Sequence, residues 1–218
     1  MLLFDFDGTL AQSLELVYTI YNRIAPEYNL LQMDEEGRRV LAAGKPQDVM
    51  KQYHISPQKL ALLVLRIRKE MRNSIGKLQP VDGMEKALSV LQKQGYPMGI
   101  VTSNDRDNVL LFLKNNNLDT YFQCIYTGRS LFGKDKIFKR LFRQHGMSAK
   151  DAIYIGDETR DVEACKKTGI PVIAVTWGMN NKTVLAALQP EGLADSPDAL
   201  PELVSAVGNM RIQGTVSM

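Results

Sequence analysis

Residues 152–178, AIYIGDETRDVEACKKTGIPVIAVTWG, contain one complete strand–helix–strand unit. The apolar run AIYIG predicts a buried strand, and the acidic segment after it begins a helix that Gly169 ends. A second apolar run, PVIAVTWG, follows at once. Two short strands joined by a helix imply a βαβ unit, and this stretch therefore predicts parallel pairing in an α/β sheet.

The same alternation continues upstream of this unit. Helical patterns separate the apolar runs PMGIVT (residues 97–102) and CIYT (residues 124–127), and LLFDF (residues 2–6) supplies one more strand. We therefore predict a Rossmann-like parallel sheet flanked by helices.

Residues 13–80 interrupt this alternation, because no convincing strand pattern occurs among them. Apolar residues recur there at helical spacing, as in Tyr18, Tyr21, Ile24 and Tyr28. The run LALLVLRIRKEM (residues 60–71) is a second helical pattern. We predict an all-helical domain at residues 13–80, inserted into an α/β core made of residues 1–12 and 81–218.

Composition excludes several classes of protein. The net charge of +3 is too small to indicate a nucleic-acid partner, and no apolar run reaches the length of a membrane span. Two cysteines without CxxC spacing argue against a disulfide scaffold or a zinc site and suit a reducing compartment. We expect a cytoplasmic protein with no nucleic-acid or membrane partner; a protein partner is not identified.

Two aspartates, Asp5 and Asp7, come at the end of the first strand and are followed by Gly8 and Thr9. Residues two apart on a strand share a face, so a regular strand would place these carboxylates side by side. Buried like charges are costly unless a cation, a hydrogen-bond network or a proton compensates them. The pair therefore predicts a site that a ligand completes.

Other polar residues follow the remaining strands, at the edge where open α/β sheets bind ligands. They are Thr102, Ser103 and Asn104, then Lys134 at the start of a helix, and finally Asp157 and Asp161. Carboxylates with little imidazole or thiolate favour a hard cation such as Mg²⁺. A hydroxyl, backbone amides and a lysine suit phosphate oxygens. We expect Mg²⁺ as the cofactor and a phosphorylated ligand.

Four segments in this order resemble the motifs of the haloacid dehalogenase-like (HAD) hydrolase superfamily. They are DFDGT (residues 5–9), IVTSN (residues 100–104), Lys134 and GDETRD (residues 156–161). The resemblance covers nearly the whole chain, since residues 13–80 are similar to that superfamily's helical C1 cap. It implies a phosphatase that hydrolyses a small phosphorylated metabolite through an aspartyl-phosphate.

The resemblance also implies roles for individual residues. Asp5 corresponds to the nucleophile and a metal ligand, and Asp7 to the general acid/base, whose backbone carbonyl also binds Mg²⁺. Asp157 corresponds to the second metal carboxylate. Asp161 corresponds to the acid that orients the lysine or a metal-bound water.

Further residues correspond to the groups that bind the phosphoryl group and the rest of the substrate. Thr102 and Lys134 are the expected catalytic phosphate contacts, with Lys136 as the alternative lysine. Gly8, Thr9, Ser103 and Asn104 are the expected substrate-binding residues of the core. Lys45, in the turn AAGKP (residues 42–46), either meets an anionic leaving group or is a solvated loop lysine.

The sequence also departs from the phosphoglycolate phosphatase-like pattern. Ala11-Gln12-Ser13 replaces the common xDS after DGTL, and Lys134 lacks the Pro-x-Pro that often follows the lysine. These departures weaken an assignment to that branch. Two other functions stay open: a sugar phosphomutase resembling β-phosphoglucomutase, and a non-catalytic regulatory protein that binds phosphate.

Overall fold

The computed structural model describes residues 1–44, 46–128 and 134–214, so Lys45 lies outside the described residues. One parallel sheet has the strand order β3-β2-β1-β4-β5-β6. The strands are β1 (Leu2–Phe4), β2 (Met98–Thr102), β3 (Phe122–Thr127), β4 (Ile153–Gly156), β5 (Val172–Val175) and β6 (Gly192–Ala194). The predicted Rossmann-like α/β fold is confirmed.

Strand β1 lies near the middle of the sheet, between β2 and β4. Leu3 pairs with Gly99 on one side and with Tyr154 on the other. Successive side chains of a strand point to opposite faces, and here Leu2 and Phe4 join one apolar cluster whereas Leu3 joins a second. Both faces of β1 are therefore buried, which explains its continuous apolar sequence.

Helices cover both faces of the sheet and form the segment that precedes β2. In the described residues the α-helices are α1 (Leu14–Ile24), α2 (Glu35–Ala42), α3 (Pro46–Gln52), α4 (Pro57–Met71), α5 (Met84–Lys93), α6 (Arg106–Asn115), α7 (Lys134–His145), α8 (Thr159–Thr168), α9 (Lys182–Ala187) and α10 (Leu200–Gly214). Helix α8 ends at Gly169 in a left-handed conformation with φ of 73°, as the sequence predicts. No helix in the described part of the chain is long and apolar enough to cross a bilayer.

Helices α1–α4, which we call the helical segment, leave the sheet after β1 and return before α5. Among the described residues between β1 and α5, extended pairing is limited to isolated bridges such as that between Ala11 and Pro80. The Gln12 amide donates to the Gln79 carbonyl at 3.0 Å, so the outgoing and returning connections run side by side. This pairing supports the proposed division into residues 13–80 and a core of residues 1–12 and 81–218.

Candidate active site

The carboxyl ends of β1, β2 and β4 meet at one edge of the sheet and bring three of the predicted site residues together. Asp5 follows β1, Thr102 ends β2 and Asp157 follows β4. The Asp5 amide donates to the Ile155 carbonyl at 2.8 Å, which extends the pairing of β1 and β4 by one residue. The backbone of Asp5 is therefore fixed by the sheet itself.

Three carboxylates form a compact cluster at this edge. One oxygen each from Asp5, Asp157 and Asp161 lies within 4.8 Å of the others, and all three residues are buried. Burial raises the pKa of Asp5 to about 7 despite the attraction of Lys134. Burial, together with neighbouring acids such as Glu158, raises the pKa of Asp157 well above its usual range. The raised pKa values mean that the ionised carboxylates are disfavoured here, and a hard divalent cation bound to their oxygens would stabilise them.

Asp157 is held by groups from two loops of the core. The Thr9 hydroxyl donates to Asp157 Oδ1 at 2.9 Å, and the Met179 amide donates to Oδ2 at 2.7 Å. Gly8 has φ of 71°, and a Cβ atom there would lie 2.3 Å from Asp157 Oδ2. Only glycine allows this close approach. Gly8 therefore leaves room for the Asp157 carboxylate, and Thr9 holds it by a hydrogen bond.

Lys134 lies at the start of α7, and its ammonium group points into the carboxylate cluster. Its Nζ atom lies 2.6 Å from Asp5 Oδ2 and 2.5 Å from Asp161 Oδ1. Burial alone would lower the pKa of Lys134, but Asp161 and Asp5 outweigh burial, and the pKa is raised. The lysine is therefore fully charged at neutral pH, whereas Lys136 is exposed.

Asp7 belongs to the same loop as Asp5 but contacts a different residue. Its Oδ2 atom accepts a hydrogen bond from Asn104 Nδ2 at 2.9 Å. Burial raises the pKa of the Asp7 carboxyl, and hydrogen bonds from Asn104 and Ser13 act in the opposite direction. A carboxyl with a raised pKa holds a proton more readily at neutral pH, which suits a general acid.

Thr102 and Ser103 form the turn that carries Asn104. Thr102 is buried, and its Oγ1 atom accepts the Asn104 amide at 3.0 Å, so the hydroxyl hydrogen remains available to an incoming oxygen. Ser103 is half-buried beside it. Thr102, Ser103 and Asn104 therefore follow β2 at the same edge of the sheet as Asp5 and Asp157.

The family model described as haloacid dehalogenase-like hydrolase matches residues 2–175. The chain belongs to this family. It is 32% identical to a phosphoglycolate phosphatase of Synechococcus elongatus, with 94% of this chain and 96% of the relative covered. It is 25% identical to the pyrophosphatase PpaX of Bacillus cereus, with 92% and 94% covered. The predicted membership of the HAD superfamily is confirmed.

A solved structure supports the same fold. A haloacid dehalogenase-like family hydrolase from Streptococcus pneumoniae superposes with a TM-score of 0.76 at 23% identity, covering 92% of this chain and 96% of the other. At this level of identity the similarity concerns the fold alone.

One residue of this HAD-like hydrolase was not predicted as part of the site. Tyr154 in β4 is fully buried, and its hydroxyl lies 2.6 Å from Lys134 Nζ. The pattern AIYIG indicates a buried strand, but a buried tyrosine also needs a hydrogen-bond partner for its hydroxyl. This requirement could have indicated from the sequence that the Tyr154 hydroxyl has a polar neighbour, but it does not identify Lys134 as that neighbour.

Helix α4 and its C-cap residue carry two arginines toward the loop that follows β2. Arg72 Nη2 lies 3.2 Å from Asp105 Oδ2, directly after Asn104. Arg68, one turn earlier, is half-buried, and its Nη2 atom is shielded from solvent. Burial lowers the pKa of Arg68, while the carboxylates of Asp105 and Asp7 act to raise it. Arg68 is therefore within electrostatic range of the expected general acid.

Proposed function

We propose that the protein is a Mg²⁺-dependent phosphatase that hydrolyses a small phosphomonoester through an aspartyl-phosphate. The observation that carries this proposal is the contact of Lys134 with Asp5 at 2.6 Å, inside a buried cluster with Asp157. A carboxylate held by a lysine beside further acids is suited to attack on a phosphoryl group whose charge a cation and the lysine share.

The Asp5 and Asp157 carboxylates and the backbone carbonyl of Asp7 would hold Mg²⁺. The ion would neutralise the charge that the phosphoryl oxygens bring next to these acids. The raised pKa of Asp157 supports this assignment, because burial and the surrounding acids disfavour its ionised form unless a cation is nearby.

Asp5 serves as the nucleophile. Its Oδ1 atom accepts the Phe6 amide at 2.8 Å and its Oδ2 atom accepts Lys134, so the carboxylate is held in one orientation. The charge of Lys134 also favours the ionised form of Asp5, which is the form that attacks phosphorus. The Thr102 hydroxyl and the Ser103 amide would bind the phosphoryl oxygens.

Asp7 serves as the general acid and then as the general base. Its carboxyl, held by Asn104, gives a proton to the leaving oxygen when the bond to phosphorus breaks. The resulting carboxylate then takes a proton from the water that attacks the aspartyl-phosphate. The same side chain therefore takes part in both half-reactions.

We infer that the substrate is a small metabolite whose leaving group carries a second negative charge. The positive charge of Arg68, whose pKa the Asp7 carboxylate acts to raise, would attract an anionic leaving group near Asp7. The relative named phosphoglycolate phosphatase makes phosphoglycolate the first candidate, and PpaX makes pyrophosphate the second. The two free cysteines, Cys124 and Cys165, support a place in the reducing cytoplasm.

A phosphomonoester panel tests the proposal. It contains the phosphomonoesters phosphoglycolate, β-glucose 1-phosphate and p-nitrophenyl phosphate, with the phosphoanhydride pyrophosphate for comparison, each with Mg²⁺ and each after EDTA treatment. We expect release of inorganic phosphate, highest kcat/KM for phosphoglycolate, and a loss of about a thousandfold without metal. Ca²⁺ should inhibit, because its longer bonds and higher ligand number would displace the phosphoryl group from Asp5.

Two results would contradict the proposal. Undiminished activity after EDTA would remove the metal assignment. Conversion of β-glucose 1-phosphate to its isomer without net release of phosphate would identify a phosphomutase instead.

A further inference from the structure

All three N–H donors of the Lys134 ammonium group have acceptors within the protein. An ammonium group has three donors and no acceptor. The acceptors are Asp5 Oδ2 at 2.6 Å, Tyr154 Oη at 2.6 Å and Asp161 Oδ1 at 2.5 Å. A phosphoryl oxygen can therefore receive a hydrogen bond from Lys134 only if one of these contacts is given up.

Tyr154 is fixed independently of Lys134. Its residue is fully buried, its ring packs edge-on against Phe138 with centroids 5.2 Å apart, and its hydroxyl donates to the Val101 carbonyl at 3.3 Å. The hydroxyl hydrogen is thus directed at the backbone, which leaves the oxygen free to accept from the lysine. The phenol is a rigid, neutral acceptor for the third N–H.

The three acceptors differ in how much is lost when the lysine leaves them. Contacts with Asp5 and Asp161 join opposite charges, and such charge-assisted hydrogen bonds are about twice as strong as neutral ones. Tyr154 is neutral and keeps its bond to Val101 when Lys134 departs. A buried oxygen that accepts nothing is tolerated better than a buried charged donor without an acceptor. Tyr154 is therefore the contact that yields to an anionic oxygen.

We propose that Tyr154 is a positioning residue that holds the third N–H of Lys134 until substrate binds and then releases it to the phosphoryl oxygen. This inference rests on the proposed phosphatase function. It implies that the tyrosine hydroxyl competes with the phosphoryl group for the third N–H of Lys134. Removal of this hydroxyl should strengthen phosphate binding rather than weaken it.

The variant Tyr154→Phe tests this inference, because it removes the acceptor and keeps the ring. Without phosphate the third N–H of Lys134 has no acceptor, whereas in the phosphate complex it has one. We expect the Kd for inorganic phosphate, measured by calorimetry with Mg²⁺, and the KM to fall about tenfold, the effect of one buried charged donor that regains its partner. The value of kcat should not rise. The increase in Tm that phosphate produces should be larger than in the wild type.

Tyr126→Phe is the matched control. This variant removes the same hydroxyl group from a tyrosine of β3. The Tyr126 hydroxyl contacts His145 at 2.9 Å and, in the part of the chain that the structure describes, contacts no residue of the predicted site. The Kd and KM of Tyr126→Phe should equal those of the wild type. If Tyr154 has a structural role only, Tyr154→Phe will lower Tm equally with and without phosphate and will leave KM unchanged or raised, and that result overturns the inference.

A second measurement does not depend on the folding of a variant. In a crystal structure of the wild type with Mg²⁺ and inorganic phosphate, Lys134 Nζ should be beyond hydrogen-bond distance of Tyr154 Oη and still bonded to Asp161. If the lysine keeps Tyr154 and leaves an aspartate, the inference is wrong while the phosphatase proposal stands. If the wild type hydrolyses no phosphomonoester and binds no phosphate, both fail together.

Discussion

The α/β core and the helical segment hold their charged residues in different ways. In the core, Lys134 and its two aspartates have side chains that are 6% exposed or less. At the boundary with the helical segment, the side chains of Arg72 and Asp105 are 59% and 43% exposed. The core buries the groups expected to react, whereas this ion pair at the boundary is one that water reaches.

This difference in exposure is also a difference in energy. Breaking a buried ion pair by removal of one partner costs about 3–5 kcal/mol, whereas an exposed pair contributes about 0–1 kcal/mol. Hydrogen bonds also cross the boundary, such as that from the Asn181 amide to the Ala42 carbonyl at 2.9 Å, and one buried apolar cluster contains residues of both parts, including Tyr18 and Phe6. Substitutions of the core site should therefore lower the rate of the reaction for every substrate. Substitutions in the helical segment should instead change the preference among substrates and the stability of the fold.

The variant Asp5→Asn is the strongest test of this contrast. The amide is isosteric with the carboxylate but is a poor nucleophile, so turnover should fall by about 10⁴-fold or more for every substrate. Circular dichroism should show an intact fold. Asp119→Asn, an exposed aspartate of the core surface, is the matched control and should retain full activity. Wild-type turnover by Asp5→Asn would exclude Asp5 as the nucleophile.

The variant Asp7→Asn should separate the two half-reactions. It keeps Asp5 and the backbone carbonyl of residue 7, so a substrate with a good leaving group can still transfer its phosphoryl group. Hydrolysis of the intermediate should slow by about 10²- to 10³-fold, because no carboxylate remains to take the proton from water. With p-nitrophenyl phosphate, intact-protein mass spectrometry should show the added mass of one phosphoryl group, and peptide mapping should place it on Asp5. A label on another residue would contradict the two-step mechanism.

The sequence predicted the core site better than the helical segment, for a physical reason. Strand ends at one sheet edge must converge, so the aspartates and Thr102 were expected together without knowledge of any contact. The choice between Lys134 and Lys136 was not decidable in this way. Residues two apart on a helix differ by about 200° in direction, and only the packing of α7 shows that Lys134 faces the sheet.

Hydrogen bonds between residues far apart in the chain could not be predicted from the sequence either. Asn104 and Asp7 are 97 residues apart, and nothing in either motif indicates their hydrogen bond. Strand β6 was missed because its sequence GLA is short and contains only one large apolar residue, so no apolar run marks it. Lys45 stays a prediction, since it lies outside the described residues.

The variant Arg68→Gln should reduce the preference for an anionic substrate and leave the catalytic steps themselves unaffected. Loss of the positive charge near Asp7 should lower kcat/KM for phosphoglycolate about tenfold, within the range of a hydrogen bond to a charged group. For p-nitrophenyl phosphate, whose leaving group carries no second negative charge, kcat/KM should change less than twofold. Lys45→Ala, assayed on the same two substrates, reports whether the predicted cap lysine shares this task. An equal loss of kcat/KM for both substrates would show that Arg68 maintains the structure of the site and does not recognise the charge of the leaving group.

The smallest expected effect concerns stability within the helical segment. Asp34 accepts the Gly37 amide at 2.9 Å at the start of α2, and the Tyr53 hydroxyl, just after α3, lies 2.5 Å from the same oxygen. Asp34 thus joins two helices on either side of Lys45. The Tyr53 hydroxyl and the Gly37 amide lower the pKa of Asp34. A lowered carboxyl pKa stabilises the fold above the usual aspartate pKa, and this contribution disappears as the pH falls through the lowered value.

The variant Tyr53→Phe should therefore lower Tm by a few degrees at pH 7, and the difference from the wild type should shrink as the pH falls below about 4. In an Asp34→Asn background the position no longer titrates, so the same tyrosine substitution should give a difference in Tm that does not depend on pH. Activity toward p-nitrophenyl phosphate at pH 7 should equal that of the wild type, because no group of the core site is touched. If Tyr53→Phe lowers that activity as strongly as it lowers Tm, the helical segment and the core site are energetically coupled, and the contrast between selection in one and chemistry in the other does not hold.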